Sequence, residues 1–479
     1  MWLPNGYKIG DEILYRFSTL LEENLMNANC FHIQGKTSEF DLFKQGDQTN
    51  MGAGDLWQVT CIPEDFHTPD WAKGATMYQI FPDRFYKSGK CDLTGKLEPY
   101  TVHNYWYDEV QWQPDRYGKV LNNDFYGGNF KGIQEKLDYI ASLGTTIIYL
   151  NPISKAFSSH RYDTGDYKTP DPMLGTEEDF KALCDAAHAK GMKIILDGVY
   201  SHTGSDSLYF NKEKTFPGVG AYHSQKSPYY DWYTFYDYPN SYNCWWNFDT
   251  LPTVNKLHPS FMKYIIDDED SVVAHWLKLG ADGFRLDVVD ELPDEFVLRL
   301  KERIRQIKPD ALLIGEVWED ASNKSSYDTR RRYFVDGELD SVMNYPFRTA
   351  VLCYLRGEDD GQALKQTVMS VAENYPPQVM SCCMTLLGTH DTPRILTALV
   401  DDYDGPREML AQQFLSEEQR LRAVQLLQMA SVIQYTLPGS PSLYYADEAG
   451  MEGHKDPFNR RTFPWGKEDP DLMAHFRQL

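Results

Sequence analysis

The sequence predicts an α/β fold, a closed (β/α)8 TIM barrel, and two observations lead to it. Eight short apolar runs rich in β-branched residues recur at 75–82, 146–153, 193–200, 283–289, 311–318, 341–346, 384–390 and 441–446. Such runs suit parallel strands covered on both faces. Between most of them, stretches at 131–143, 177–190, 271–279, 295–307, 362–373 and 417–434 place apolar residues three and four apart, as amphipathic helices do. Thr176, ahead of Glu177 and Glu178, is expected to cap the second of these helices, with the acidic pair complementing its dipole. A doubly wound open sheet is the alternative, but no glycine-rich phosphate loop follows the first strand.

Two regions depart from this rhythm. After Tyr200 about seventy residues pass before Ser271, rich in Tyr, Trp, Asn and Pro. A structureless loop of that length is improbable, so 201–255 is expected to form an excursion domain after the third strand. Residues 1–70 alternate over short stretches, 13–17 and 56–61, between Gly, Asn and Asp turns, and read as a short or incomplete N-terminal β-module. The segment 66–71, with Pro69, is the expected link to the barrel, which runs from 71 to 479. Only 471–479 remains for the last helix, which is expected to be incomplete.

Composition narrows the class of ligand. The 479 residues are 42% apolar, enough for a large core. They carry 47 basic against 70 acidic side chains, a net charge of −23 that disfavours nucleic acid and anionic membranes and also serves solubility. Among the 14% aromatic residues are 32 Tyr and 11 Trp, which build core and can also stack on sugar rings with their polar tips free to hydrogen-bond. The eight cysteines are scattered, with no CxxC or Cys/His ligand spacing, so free thiols are expected. Residues 1–11 lack the pattern of a signal peptide, and no run reaches the roughly 18 apolar residues of a membrane span. The chain therefore reads as cytoplasmic.

In a barrel of this kind functional residues gather at the C-terminal ends of the strands. Those ends carry Asp197 and His202, Arg285 and Asp287, Glu316, then His390 and Asp391. One carboxylate at a strand end is as readily a helix cap as a catalyst. Four ends carrying three Asp and one Glu, with His and Arg interleaved, exceed what capping explains. Arg285 and Asp287 lie two residues apart, so both face the same side of the strand. Arg285 is expected to favour the ionised form of Asp287, as a glycosyl nucleophile requires. Trp318, as an apolar neighbour, is expected to raise the pKa of Glu316, as a general acid requires.

Four ordered motifs carry a resemblance to the α-amylase family of glycoside hydrolases over roughly residues 69–479. They are Asp197-Gly198-Val199-Tyr200-Ser201-His202, Gly283-Phe284-Arg285-Leu286-Asp287, Gly315-Glu316-Val317-Trp318 and Leu387-Gly388-Thr389-His390-Asp391. The resemblance implies that Asp287 is the nucleophile, Glu316 the general acid/base and Asp391 the third carboxylate, holding sugar hydroxyls. It also implies that Arg285, His202 and His390 complete the subsite of the reacting glucose, with Asp197 supporting Arg285 and the sugar. Ser159-His160-Arg161-Tyr162-Asp163 matches a further family stretch, which implies that Tyr162 stacks on the reacting ring and His160 hydrogen-bonds to it. Asp447 and Glu448 match as well and are given a structural or rim role.

Leu387 through Arg394, Asp456 through Arg461 and Leu251-Pro252-Thr253-Val254-Asn255 are most similar to the cyclomaltodextrinase, neopullulanase and maltogenic amylase group. That group implies cleavage of α-1,4 links in cyclodextrins and maltooligosaccharides, often of α-1,6 links in pullulan, with Trp318 and Arg394 among the substrate-binding residues and a homodimer in many members. It also implies a C-terminal β-sandwich, expected to be absent here. No cofactor is required. Calcium is not predicted, because Ser201 stands where many relatives have Asn and 87–97 poorly matches a calcium loop, although Asn129 offers an oxygen. Two alternatives are weighed: a glucan transferase, which uses the same machinery, and a degenerate barrel that binds carbohydrate or a partner protein without cleavage, against which the presence of Asp287, Glu316 and Asp391 speaks.

Overall fold

The computed structural model describes residues 30–33, 57–60 and 62–479. Eight parallel strands form its centre: β1 (Met77–Ile80), β2 (Ile147–Leu150), β3 (Lys193–Gly198), β4 (Gly283–Leu286), β5 (Leu312–Gly315), β6 (Ser341–Val342), β7 (Met384–Leu386) and β8 (Ser440–Tyr444). Their order in the sheet is β6-β5-β4-β3-β2-β1-β8-β7, and a single parallel bridge between Met343 and Met384 joins the two edges. The result is the expected barrel, closed by one bridge.

Strand alternation divides each side chain between two cores. Met77, Ile147, Tyr149, Ile195, Leu312 and Ile314 point inward and fill the barrel. Tyr78, Ile80, Ile148, Leu150, Ile194, Leu196 and Phe284 point outward against the helices. The same alternation brings Gln79, Asp197 and Arg285 to the interior near the C-terminal end, with Asp197 paired in register to Arg285. At Gly283 a Cβ would stand 2.0 Å from the Leu312 carbonyl oxygen, so only glycine lets β4 pair this closely with β5.

All six expected helices form. Those over Glu177–Ala189, Val272–Leu279, Asp294–Ile307, Gly361–Asn374 and Glu417–Thr436 match within a residue or two, and the first stretch divides into Phe130–Glu135 and Leu137–Ala141. Thr176 makes a full capping box with Asp179. A helix over Tyr345–Arg356 was not anticipated: 341–346 reads as one strand, yet Pro346 occupies the first turn of this helix, where proline fits. Residues Pro470–Gln478 form a helix that buries Leu472, Met473 and Phe476.

In the 201–255 stretch an aromatic cluster replaces regular structure. Phe210 packs on Tyr233, Phe235 and Tyr242 around the two-stranded ladder Phe235–Asp237 with Ser241–Tyr242. Bridges from His202 to Thr253 and from Tyr233 to Val254 tie it to the barrel mouth. Toward the N-terminus, Cys30–Ile33 pairs antiparallel with Trp57–Thr60, which falls on the expected alternating stretch 56–61. The stretch 13–17 lies outside the described residues. No helix among the described residues is long and apolar enough to cross a membrane.

Candidate active site

Arg285 is fully buried, and its guanidinium organises the carboxyls around it. Nη1 donates to Asp197 Oδ1 at 2.8 Å and to Asp287 Oδ1 at 3.0 Å, while Nη2 lies 2.8 Å from Glu316 Oε2. One cation thus serves three carboxyls from β3, β4 and β5. Asp287 leaves the end of β4 with its N–H still bonded to the Gly198 carbonyl, so the strand direction holds its side chain toward the axis. Val288 then turns into the left-handed region at φ 41°, an unfavourable conformation for a β-branched residue. That turn aims the Val288 N–H at Glu316 Oε2, 2.8 Å away.

Trp318 plays a different part from the apolar neighbour expected. Its indole Nε1–H donates to Glu316 Oε1 at 3.1 Å, and its ring stacks on Tyr345 at 3.8 Å. Glu316 is therefore fixed by two hydrogen bonds, from Val288 and Trp318, and by its ion pair with Arg285, with one wall of the cleft formed by the stacked pair. Tyr345, which sequence reasoning missed because 341–346 reads as strand, is buried beside this carboxyl.

Arg285 favours the ionised form of Asp287 as expected, but it is outweighed. Burial pushes the Asp287 carboxyl well above its ordinary pKa, Arg285 pulls it down, and Glu316, Asp197 and Asp391 push it up again. Burial and the Glu316 charge likewise raise Asp391 to about 7, against Arg460 and Arg285. A cluster with more carboxyls than cations keeps a proton near neutral pH, and its titration belongs to the group rather than to one residue.

A chain of oriented hydrogen bonds supports the opposite wall. Gln79 Nε2 donates to His390 Nδ1 at 2.9 Å, which leaves the proton on His390 Nε2. That nitrogen lies 2.6 Å from the Tyr162 hydroxyl and 3.0 Å from Asp391 Oδ2. Tyr162 passes its own proton to Asp197 Oδ2 at 2.7 Å, and Tyr149 donates to the same oxygen at 2.6 Å. Burial, followed by Arg460 and Arg285, holds His390 neutral. His202 is neutral as well, pushed down to about 3 by burial; its Nε2 donates to the Tyr162 carbonyl and its Nδ1 accepts from Ser201. His160 accepts the Tyr162 N–H and so orients the loop that carries the ring.

These groups stand at the floor of a cleft of about 1200 Å³. Asp287, Glu316, Asp391, His160, Tyr162, His202, His390 and Trp318 all line it. Asp197 and Arg285 do not, because their polar atoms are spent on one another and on their neighbours; they act through the residues they hold. Arg394, expected to bind substrate, does not reach the cleft either. It is buried over the rings of Tyr444 and Tyr445, donates to the Asn459 carbonyl and pairs with Asp447 at 3.0 Å. Arg460 lines the cleft instead, with Nε on the His390 carbonyl and Nη2 3.4 Å from Asp391. Asp456-Pro457-Phe458-Asn459-Arg460-Arg461 was marked in the sequence, but nothing in it separates Arg460 from Arg461. Glu448 is structural: buried, it accepts the hydroxyls of Tyr78 and Tyr139.

Asn129 is buried and bonded within the fold. Its Oδ1 accepts the Gly132 N–H as a helix cap, and its Nδ2 donates to the Ser88 carbonyl. Among the described residues, no three His, Cys, Asp or Glu side chains converge as a metal site would need.

A profile of the alpha amylase catalytic domain matches residues 79–474. An amylopullulanase of Thermoanaerobacterium thermosulfurigenes is 40% identical over 464 residues, covering 88% of this chain and 24% of its own length. Neopullulanase 2 of Thermoactinomyces vulgaris is 33% identical over 483 residues, covering 98% of this chain and 73% of its own. Among solved structures, the type III pullulan hydrolase from Thermococcus kodakarensis superposes with a TM-score of 0.73 at 29% identity, covering 90% of this chain and 73% of that one. The chain therefore spans about a quarter of the amylopullulanase it matches.

Proposed function

Because this chain belongs to the α-amylase family, we propose that it is a retaining glycoside hydrolase that cleaves α-1,4 glucosidic bonds, and α-1,6 bonds as well, in maltooligosaccharides, cyclodextrins or pullulan. The observation that carries the reading is the single guanidinium shared by Asp287 and Glu316, with Asp391 lining the same cleft. Retaining enzymes hold their two carboxyls about 5–5.5 Å apart, one attacking and one transferring the proton. Two carboxyls on adjacent strands, bridged by one arginine fork, suit that spacing.

In the first step Asp287 attacks the anomeric carbon as Glu316 protonates the departing glycosidic oxygen, leaving a covalent glycosyl-enzyme. In the second step Glu316 takes a proton from water, whose oxygen displaces Asp287 and restores the starting configuration. Asp391 and neutral His390 hold hydroxyls of the distorted ring, and Tyr162 offers it an aromatic face. Val288 contributes its N–H to Glu316, which fixes the carboxyl between proton deliveries. If a sugar hydroxyl replaces water in the second step the same residues perform transfer, so the glucan transferase differs in acceptor and not in machinery.

Product analysis with β-cyclodextrin, pullulan, starch and maltotriose tests the proposal. Hydrolysis of cyclodextrin or pullulan in preference to starch supports it, strong preference for starch refutes the substrate range, and binding without products supports the non-catalytic barrel. We extend the proposal to a cytoplasmic enzyme; Cys91, Cys184, Cys244, Cys353, Cys382 and Cys383 are free thiols, as in a reducing compartment. A homodimer, implied by the group it resembles, is checked by sedimentation velocity.

A further inference from the structure

Ten non-glycine residues adopt positive φ among the described residues, and only two pairs of them are consecutive. Trp246 and Asn247 form one pair, at φ 47° and 64°; Tyr327 and Asp328 form the other, at 51° and 60°. Both pairs lie at the same cleft. The second is the turn of a hairpin in which Ser325–Ser326 pairs with Thr329–Arg330, and a two-residue turn of this hand normally takes Asn-Gly or Asp-Gly. A bulky aromatic residue in that conformation is disfavoured, and strain of this kind collects where geometry serves a function. In each case the strained position carries the exposed ring: Trp246 is 72% exposed and Tyr327 is 73% exposed.

The two turns come from distant parts of the chain and meet at Glu291. Its Oε1 accepts the indole N–H of Trp245 at 3.0 Å and the hydroxyl of Tyr327 at 3.1 Å. Trp245 stacks on Trp246 at 5.2 Å with the planes 18° apart. The hairpin is rooted beside the proposed nucleophile, because Asp290 pairs with Lys324 at 3.1 Å and accepts the Tyr333 hydroxyl. Single exposed aromatics are ordinary on protein surfaces. Two of them on strained turns, joined through one carboxylate and continuous with the same cleft, are not.

We propose that Trp246 and Tyr327 form an additional sugar-binding ledge, on which glucosyl units beyond those at Asp287 and Glu316 stack, so that the protein favours longer or branched α-glucan chains. The inference rests on the α-glucan reading above. Pyranose rings offer apolar C–H faces to flat aromatic rings. Glu291 and Asp249, with the hydroxyls of Ser325 and Ser326, line the same cleft and can bond sugar hydroxyls. The net charge of −23 disfavours an anionic occupant.

The test compares kcat/KM for maltoheptaose and maltotriose in the wild type, Tyr327→Ala, Trp246→Ala and Tyr327→Phe, with thermal melting as the check on folding. The ratio of the long to the short substrate is expected to fall roughly 3- to 10-fold in each alanine variant and to be largely rescued by Tyr327→Phe. Calorimetric titration of the same proteins with both oligosaccharides reads the ledge without turnover. Equal loss on both substrates, or affinities for maltoheptaose that do not change in the folded alanine variants, overturns the ledge. Maltoheptaose binding that weakens in the variants of a wild type that cleaves neither sugar supports the ledge and overturns the hydrolase.

Discussion

Asp282 and Asp287 stand at the two ends of one strand, both buried, and their surroundings are opposite. At the N-terminal end Asp282 accepts Lys308 at 2.6 Å, His188 at 2.7 Å and the Ile194 N–H at 2.8 Å. Burial pushes its pKa up, but these donors outweigh burial and hold it below the ordinary value. Asp287, five residues on, must share one arginine with Asp197 and Glu316, and its carboxyl is driven well up. The same contrast recurs along the barrel floor. Asp340, just before β6, is satisfied by Arg305 at 2.8 Å, by Lys301 and by the Leu313 N–H. Carboxylates at the bottom of the barrel are neutralised to hold strands together, whereas those at the top are left short of cations and able to move a proton.

The largest effect expected at the top end is on rate. Glu316→Gln keeps the shape of the site and removes the proton donor, so cleavage should fall by about 10²–10⁴-fold or more while maltooligosaccharide affinity remains. Steady-state kinetics and calorimetry separate the two. At the bottom end the loss falls on stability instead. Asp282→Asn removes the buried counter-charge of Lys308 and should cost about 3 kcal/mol, read by denaturant unfolding. Asp287→Asn should do the reverse, abolishing cleavage while raising stability by about 1 kcal/mol, because it relieves repulsion among crowded carboxyls. Equal destabilisation by both asparagine variants would erase the distinction between the two ends.

A smaller effect appears in pH dependence, with opposite signs. Asp282 is lowered, so its contribution to stability is present above its unfolded pKa and fades as pH falls through the folded value. Asp391 and Glu448 are each raised to about 7, chiefly by burial, so their contribution is complete below their unfolded pKa and fades as pH rises through about 7. Melting temperature should therefore decline between pH 5 and pH 8, and kcat/KM should fall on the alkaline side of pH 7 as the cluster loses its proton. A stability that rises across that interval would contradict the top-end assignment.

The barrel was largely legible because buried parallel strands are written as apolar runs, and all eight were found. Their C-terminal limits ran long, most tellingly at β4, where 283–289 reads as one run but the ladder strand stops at Leu286. Asp287 still bonds to the neighbouring strand, but Val288 turns away at positive φ, and periodicity does not record a change in φ. The three carboxylates were readable from type and position. The sharing of Arg285, the indole donor on Glu316 and the choice of Arg460 over Arg394 were not, because each depends on which way a side chain turns. The hairpin at 325–330 was silent because Tyr-Asp lacks the Gly that marks a turn of its kind.

The central claim is that Asp287 attacks and Glu316 transfers the proton. It is tested most directly by trapping the intermediate with 5-fluoro-α-D-glucosyl fluoride and mapping the adduct by mass spectrometry of a proteolytic digest. The assignment predicts a 5-fluorohexosyl adduct on the peptide containing Asp287, formed in the wild type as the anomeric fluoride departs and absent from Asp287→Asn. An adduct on the peptide containing Glu316 or Asp391, or turnover of natural substrate with inverted configuration, would contradict it.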